Sequence, residues 1–268
     1  MKQIINLLFT CGLCIAIYPI IAKVYYNYDS TKQSELLDDK VFDKKTIRRY
    51  EQQKAYNEAV INKKQSIIAP KVQAKPKDKD VLLKQSDDVI ATIKIPKLKL
   101  HYPVFDGATP ENLNKGVSRV TGTSYPLGGR STNSVFAAHS YSPFQEWFTH
   151  IDQLVRGDLI IVNNFKEKLN YQVTNYVIVT PEKVEAMGIK HDKDMITLLT
   201  CTPDGSKRLL IYATRINSQE RKLPSVNKYQ IINYQKSWLE QIKILSESWL
   251  TLILIFIMTY IFLYTKRQ

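Results

Sequence analysis

Hydrophobic and polar positions change rhythm several times along this chain, and each change marks a boundary. Residues 4–22 are apolar apart from Asn6 and Thr10, with Lys2 and Lys23 on either side. A run of that length crosses a bilayer as a helix. No small-x-small cleavage site precedes Lys23, so a retained anchor is expected rather than a cleaved signal peptide. Residues 30–65 contain no glycine or proline and carry Leu36, Leu37, Val41, Ile47, Tyr50 and Val60 loosely at helical spacing among many charges. That spacing predicts one or two amphipathic helices packed on a domain, with a solvated stalk as the alternative. Pro70, Pro76 and the run KPKDKD at 75–80 then break the pattern, and residues 67–88 read as a linker.

From Val89 the texture is that of short strands rich in β-branched and aromatic residues. Strands are predicted over 89–95, 98–105, 134–139, 158–162, 169–173, 176–180, 195–201 and 208–214. Gly128-Gly129 and Asp204-Gly205 supply turn signals between them, and short helices fit 110–115 and 145–154. Many short strands with few helices predict an all-β, closed or nearly closed barrel of eight strands. A second apolar run, 249–265, has Trp249 and Tyr264 near its edges and is followed by Lys266 and Arg267. Aromatic edges and a cationic tail favour a second span over a buried core helix.

The expected layout is therefore an N-terminal membrane anchor (1–23), a helical extension (24–66) and a linker or lid (67–88). A barrel domain (89–217), a juxtamembrane segment (218–248) and a C-terminal transmembrane helix (249–265) follow. Two spans put both short, positive ends in the cytoplasm and the intervening domain outside.

Composition adds little until charge and cysteines are considered. The 268 residues are 44% hydrophobic with nine glycines and eleven prolines, which excludes collagen-like and low-complexity chains. A net charge of +13 raises nucleic acid as a partner, but the lysines are scattered and no basic stripe carries interleaved aromatics. A surface facing an anionic membrane or envelope accounts for the charge without nucleic acid. Cys11 and Cys14 lie inside the first apolar run, which leaves Cys201 as the one cysteine of the external part. An unpaired thiol outside the cell is an oxidation liability, so Cys201 is either a buried inert thiol or a reactive nucleophile.

Cys201 ends the apolar strand ITLLT, and a turn of Thr202-Pro203-Asp204-Gly205 follows. A nucleophile there is held by the sheet yet opens onto a loop. Arg208 begins the next predicted strand, where antiparallel pairing would bring it near Cys201 to favour the thiolate and an oxyanion. The plainer reading is a surface arginine paired with Asp204. Expelling an amine also needs a proton donor. Of four histidines, His139 closes the apolar strand SVFAA, whereas His101, His150 and His191 read as packing or surface residues. No cluster has metal-ligand spacing, and no cofactor is expected.

These residues carry a resemblance. TLLTCTP (197–203), RLLIYA (208–213) and SVFAAH (134–139), with IKIPKLKLHYPVF, KGVSRVTGTSYPLGG and FTHIDQLVRGDLIIV, occur in the order and form seen in the sortase family, over about 90–215. The resemblance implies an eight-stranded sortase-type barrel and a cysteine transpeptidase. Cys201 would attack the Thr–Gly bond of an LPXTG-type sorting signal, His139 would serve as general acid and then base, and Arg208 would hold substrate and oxyanion. AYNEAV (55–60) within a helical extension, and a C-terminal span with a basic tail, resemble class C, the pilus polymerases, whose acceptor amine is a pilin lysine. The chain departs from that class in three places. It has no Asp-Pro pair for an autoinhibitory lid, Ser140-Tyr141 follows His139 where Arg-Gly is common, and the turn between Cys201 and Arg208 is short. The competing functions are a housekeeping-type sortase anchoring proteins to cell-wall peptide, a hydrolytic thiol peptidase, and a non-catalytic scaffold barrel.

Overall fold

A computed structural model describes residues 2–38, 44–62, 89–142, 145–216, 257 and 259–260. The linker 67–88, the segment 218–248 and nearly all of the second apolar run lie outside the described residues. The chain divides into two compact units, one of residues 1–26, 143–145 and 228–268, the other of residues 27–142 and 146–227.

Helix α1 (Lys2–Asp38) passes without a break through the first apolar run and the expected 23/24 boundary. Its exposed face in the first unit carries Ile4, Leu7, Ile15 and Tyr18. Tyr260 donates its hydroxyl to Asn6 Oδ1 at 3.0 Å and stacks on Phe9 with ring centroids 4.1 Å apart. Among the described residues, no helix is long and apolar enough to cross a membrane.

The second unit holds the barrel. Its elements are β1 (Val89–Ile95), β2 (Leu100–Asp106), β3 (Val117–Arg119), β4 (Thr132–Ala137), β5 (Leu159–Asn163), β6 (Lys168–Val179), β7 (Asp194–Cys201) and β8 (Arg208–Arg215). Hydrogen-bonded neighbours run β1-β2-β3-β4-β7-β8-β6-β5 and close on β1. Closure removes the free edges that an open sheet would expose. The expected eight-stranded barrel is present, with a different membership. The predicted strands 169–173 and 176–180 are one strand, β6, whose register against β8 shifts between Val173 and Asn175. That bulge carries Thr174, whose hydroxyl donates to Tyr212 O at 3.2 Å, so the polar interruption bends the strand instead of ending it. β3 has no counterpart among the predicted strands. At three residues it is too short to show alternation, yet all three are buried, and it pairs parallel to β2 and antiparallel to β4.

Two buried clusters occupy the two faces of the strands. The larger fills the barrel and includes Phe136, Ile196, Leu198, Leu209, Ile211 and Ala213. The smaller includes Val135, Ala137, Leu199, Leu210, Tyr212 and Met187. Successive strand residues point to opposite faces, so the parity of each position in β4, β7 and β8 decides its cluster. The smaller cluster lies on the outer face, under the 3₁₀ turn Val184–Met187, which Tyr212 holds by donating to Ala186 O at 2.8 Å.

The helical extension is two helices, since α1 ends at Asp38 and α2 spans Lys44–Ile61. At the end of α1, the Asp38 carboxylate accepts from Thr92 Oγ1 and from Asn163 Nδ2 (3.0 Å) and lies 3.4 Å from His101 Nε2. On α2, Asn57 acts as a surrogate strand partner. Its amide donates to Tyr125 O (3.1 Å) and its carbonyl accepts from Tyr125 N (2.6 Å). Beside it, Arg119 is buried between the Tyr56 and Tyr125 rings and doubly bonded to Asp106 (Nε at 2.8 Å, Nη2 at 2.7 Å). An unpaired charge would be costly there, and the Asp106 carboxylate compensates it. Residues of the extension are thus bonded to the barrel.

Helix α3 (Pro110–Lys115) falls where expected. Thr109 Oγ1 caps it by accepting from Asn112 N at 3.2 Å, with Pro110 in the first turn. The helix expected over 145–154 is absent apart from the 3₁₀ turn Ile151–Gln153. Trp147 adopts φ +30°, which no α-helix accommodates.

Candidate active site

β7 and β8 pair antiparallel with Cys201 directly opposite Arg208. β4 runs parallel to β7 with Ala137 beside Leu199, and the pairing continues past the strand end: Ala138 N donates to Leu199 O (3.2 Å) and Thr200 Oγ1 donates to Ala138 O (2.9 Å). His139 therefore follows β4 at the level of Cys201. Parity then settles the face. Ala137, Leu199 and Leu210 belong to the outer cluster, so His139, Cys201 and Arg208, each two positions along, continue the same face. Cys201, Arg208 and the sequence-distant His139 thus lie at one end of one sheet face.

All three are partly buried. The floor beneath them is apolar, built from Ala137, Leu199 and Leu210. Burial lowers the His139 pKa from its ordinary value, because the half-buried ring loses solvation of its charged form. The His139 carbonyl accepts from Phe148 N at 3.2 Å, and its ring lies 5.3 Å from that of Trp147, tilted by 45°.

The β7–β8 turn is tightly bonded. Thr202 N donates to Lys207 O (3.0 Å), Lys207 N to Thr202 Oγ1 (3.0 Å), and Gly205 N to Thr202 O (2.8 Å). Gly205 has φ +72°, a conformation that a side chain would strain. Asp204 accepts from the hydroxyls of Thr202 and Ser206, and these bonds hold its carboxyl down at about 2. The Arg208 guanidinium donates through Nη1 to Gly205 O (3.1 Å) and Lys207 O (3.0 Å). Its partners are turn carbonyls and not Asp204, the partner of the plainer sequence reading. The guanidinium also has no hydrogen bond to Cys201 among the described residues.

These three are the candidates named from the sequence; two of their neighbours were not. Thr200, on the barrel-facing side of β7, bonds the backbone beside His139. Trp147 was hidden inside an expected helix; its aromatic character gave no signal without the turn that brings it back to His139. The remaining histidines lie elsewhere. His101 is buried beside Asp38, His150 lies 3.0 Å from Glu146, and His191 is exposed beside Asp192.

Comparison with known proteins gives a consistent picture. The family model "Sortase domain" matches residues 93–216. Sortase A of Bacillus anthracis is 33% identical over 136 residues, covering 50% of this chain and 63% of that protein. Sortase D of Bacillus subtilis is 24% identical and is covered over 62% of its length, so the chain spans less than two thirds of these curated relatives. Among solved structures, the pilus-related sortase C of Group B Streptococcus is 34% identical with a TM-score of 0.60, covering 70% of this chain and 98% of that one. Clostridium perfringens sortase C, solved with the C-terminal cell wall sorting motif, is 31% identical with a TM-score of 0.60, covering 71% and 99%.

Proposed function

Because the chain belongs to the sortase family, we propose that it is a membrane-anchored cysteine transpeptidase that cleaves an LPXTG-type sorting signal and joins it to an amine, in pilus polymerisation a pilin lysine. The observation that carries the reading is the strand register that sets Cys201 against Arg208 and brings His139 to the same end of the same face.

In this reading the Cys201 thiolate attacks the carbonyl carbon of the scissile amide, and the oxygen becomes an oxyanion. Arg208 leaves its turn carbonyls to donate to that oxyanion or to the neighbouring substrate backbone. The amine then departs with a proton from the His139 imidazolium, leaving a thioacyl-enzyme. A second amine attacks the thioester, His139 takes its proton, and the Cys201 thiolate leaves. A lowered His139 pKa makes the imidazolium a stronger acid toward the departing amine, and the neutral ring it leaves is the base for the second step.

The pilus assignment draws on the class C relatives, whose match takes in more of the chain than the domain 93–216, and on the helical extension packed on the barrel. The membrane placement draws on the uncharged run 4–22, with Ile4, Leu7 and Ile15 exposed on α1, and on the second apolar run, which Tyr260 ties to Asn6. The domain would then face outward. A housekeeping role, anchoring proteins to cell-wall peptide, is the second reading; it is favoured by the curated similarity to sortase A and by the lack of an Asp-Pro pair.

Incubating the full chain with an LPXTG-type peptide and separate amine acceptors tests both readings. Mass spectrometry should find an acyl adduct on Cys201 and a ligated product with a pilin-like lysine peptide. Ligation to a cell-wall peptide alone would replace the pilus role with the housekeeping one. Hydrolysis alone, with every acceptor, would defeat the transpeptidase assignment.

A further inference from the structure

His139 lies beyond the last residue of β4, so the sheet fixes its backbone less firmly than that of Cys201. Its ring is also unusually lightly held. In most nucleophile–base pairs a third group, commonly a carboxylate or carbonyl, orients the imidazole through its second nitrogen. Among the described residues, the His139 imidazole has no such hydrogen bond; burial alone shifts its titration. The aromatic ring set against it is that of Trp147.

Trp147 occupies that place at a double cost. Its φ of +30° puts a bulky, non-glycine residue in a sparsely allowed, strained region of backbone conformation. Its indole is 7% exposed, and the buried Nε1–H has no hydrogen-bond partner among the described residues. The surrounding turn enforces this geometry, with Thr149 N donating to Glu146 O (2.8 Å) and Phe148 N donating to His139 O (3.2 Å). The same short segment thus binds the His139 backbone on one side and presents a ring to its imidazole on the other.

We infer that Trp147 is the positioning residue for His139: its ring plane, not a hydrogen bond, sets the orientation and the dry side of the imidazole. The inference rests on the function proposed above. Cys201 on β7 and Arg208 on β8 lie at the same strand-end level as His139, and Glu146 and His150, paired at 3.0 Å, flank Trp147 in the turn segment. Trp147 supplies a wall that excludes water from the imidazole. Removing the wall hydrates the ring and moves its titration back up toward the ordinary histidine value, while a phenyl ring in its place preserves both wall and orientation.

The test uses the detergent-solubilised full chain. The His139 ring proton is titrated by NMR in a Cys201→Ala background, alone and with Trp147→Ala, Trp147→Phe or Trp147→Leu. Turnover and its pH profile are measured with Cys201 intact. Trp147→Ala should raise the His139 titration and lower kcat by about 10²-fold with KM little changed, as misplaced catalytic groups do. Trp147→Phe should stay within about threefold of the parent on the same grounds. If Trp147→Ala does not fold, Trp147→Leu, which keeps apolar bulk without a ring plane, should show the same kcat loss. An unmoved His139 titration in folded Trp147→Ala, or Trp147→Phe as damaged as Trp147→Ala, overturns the inference. The titration needs no substrate, so a shifted histidine in a chain that never transpeptidates would count against the proposed function and not against the positioning role.

Discussion

Replacing Thr200 with valine is the sharpest probe of how the fold aligns its nucleophile and base. Thr200 precedes Cys201, is buried, and donates its hydroxyl to Ala138 O at 2.9 Å, one residue before His139. Valine keeps the shape and the β-branch but leaves that carbonyl without the hydroxyl. Losing one partner of a buried hydrogen bond costs about 1–3 kcal/mol. For a domain of this size each kcal/mol lowers Tm by about 2–4 °C, so a drop of about 2–12 °C is expected. The larger effect falls on chemistry. The bond ties the end of β7 to the backbone carrying His139, and a misplacement of about 1 Å costs on the order of 10²-fold. Thr200→Ser restores the donor and sacrifices a methyl group, so it should lose stability comparably while recovering most of kcat. The measurements are thermal melts and single-turnover acylation by a sorting-signal peptide for both variants. Thr200→Val with kcat within twofold of the parent, or Thr200→Ser as slow as Thr200→Val, would refute the idea that this bond sets the alignment.

The other predictions address the site and its titration. Cys201→Ala should abolish acylation with a near-unchanged Tm, since a partly exposed sulfur packs little; residual adduct formation by mass spectrometry would place the nucleophile elsewhere. His139→Ala should lower kcat by about 10²–10⁴-fold, read from the same acylation assay. Arg208→Lys should slow turnover despite keeping its charge, because an ammonium cannot reproduce a planar, two-pronged donor; parent-like turnover would remove Arg208 from the mechanism. Burial lowers the His101 pKa, opposed by the neighbouring Asp38 carboxylate. The folded state therefore favours the neutral ring, and the unfolded chain takes up the proton first as pH falls below 6.5. Stability should decline with acidification through that value, and His101→Gln should flatten this part of the curve in melts between about pH 7.5 and about pH 5. An equally steep decline in the variant would exclude His101 as its source.

Particular residues show where sequence reading succeeds. The stretch 195–201 alternates poorly because both of its faces are buried, yet its β-branched, apolar run bounded by Pro203 and Gly205 still reads as a strand. Cys201, His139 and Arg208 were singled out as candidates because each marks one end of such a run. β6 was divided in two because Thr174 and Asn175 look like a turn, while the structure absorbs them as a bulge against β8. β3 escaped notice because its ladder partners lie in β2 and β4, and local pattern carries no record of either. The segment 145–154 has helical composition, but Trp147 leaves the helical region and Phe148 N bonds His139 O. A tertiary contact there outweighs local propensity.

What the sequence determined by itself is therefore the list of elements and the chemistry at their ends, since side-chain period and turn residues act over a few positions. It also determined the likeness to sortases, through short runs whose order along the chain is specific. The tertiary structure alone decided which ends meet: β4 beside β7 across more than fifty intervening residues, His139 level with Cys201, the guanidinium of Arg208 on its turn carbonyls, and Trp147 against the imidazole. The physical reason is that barrel closure and strand register are set by many weak contacts made at once, and no single stretch of chain contains them.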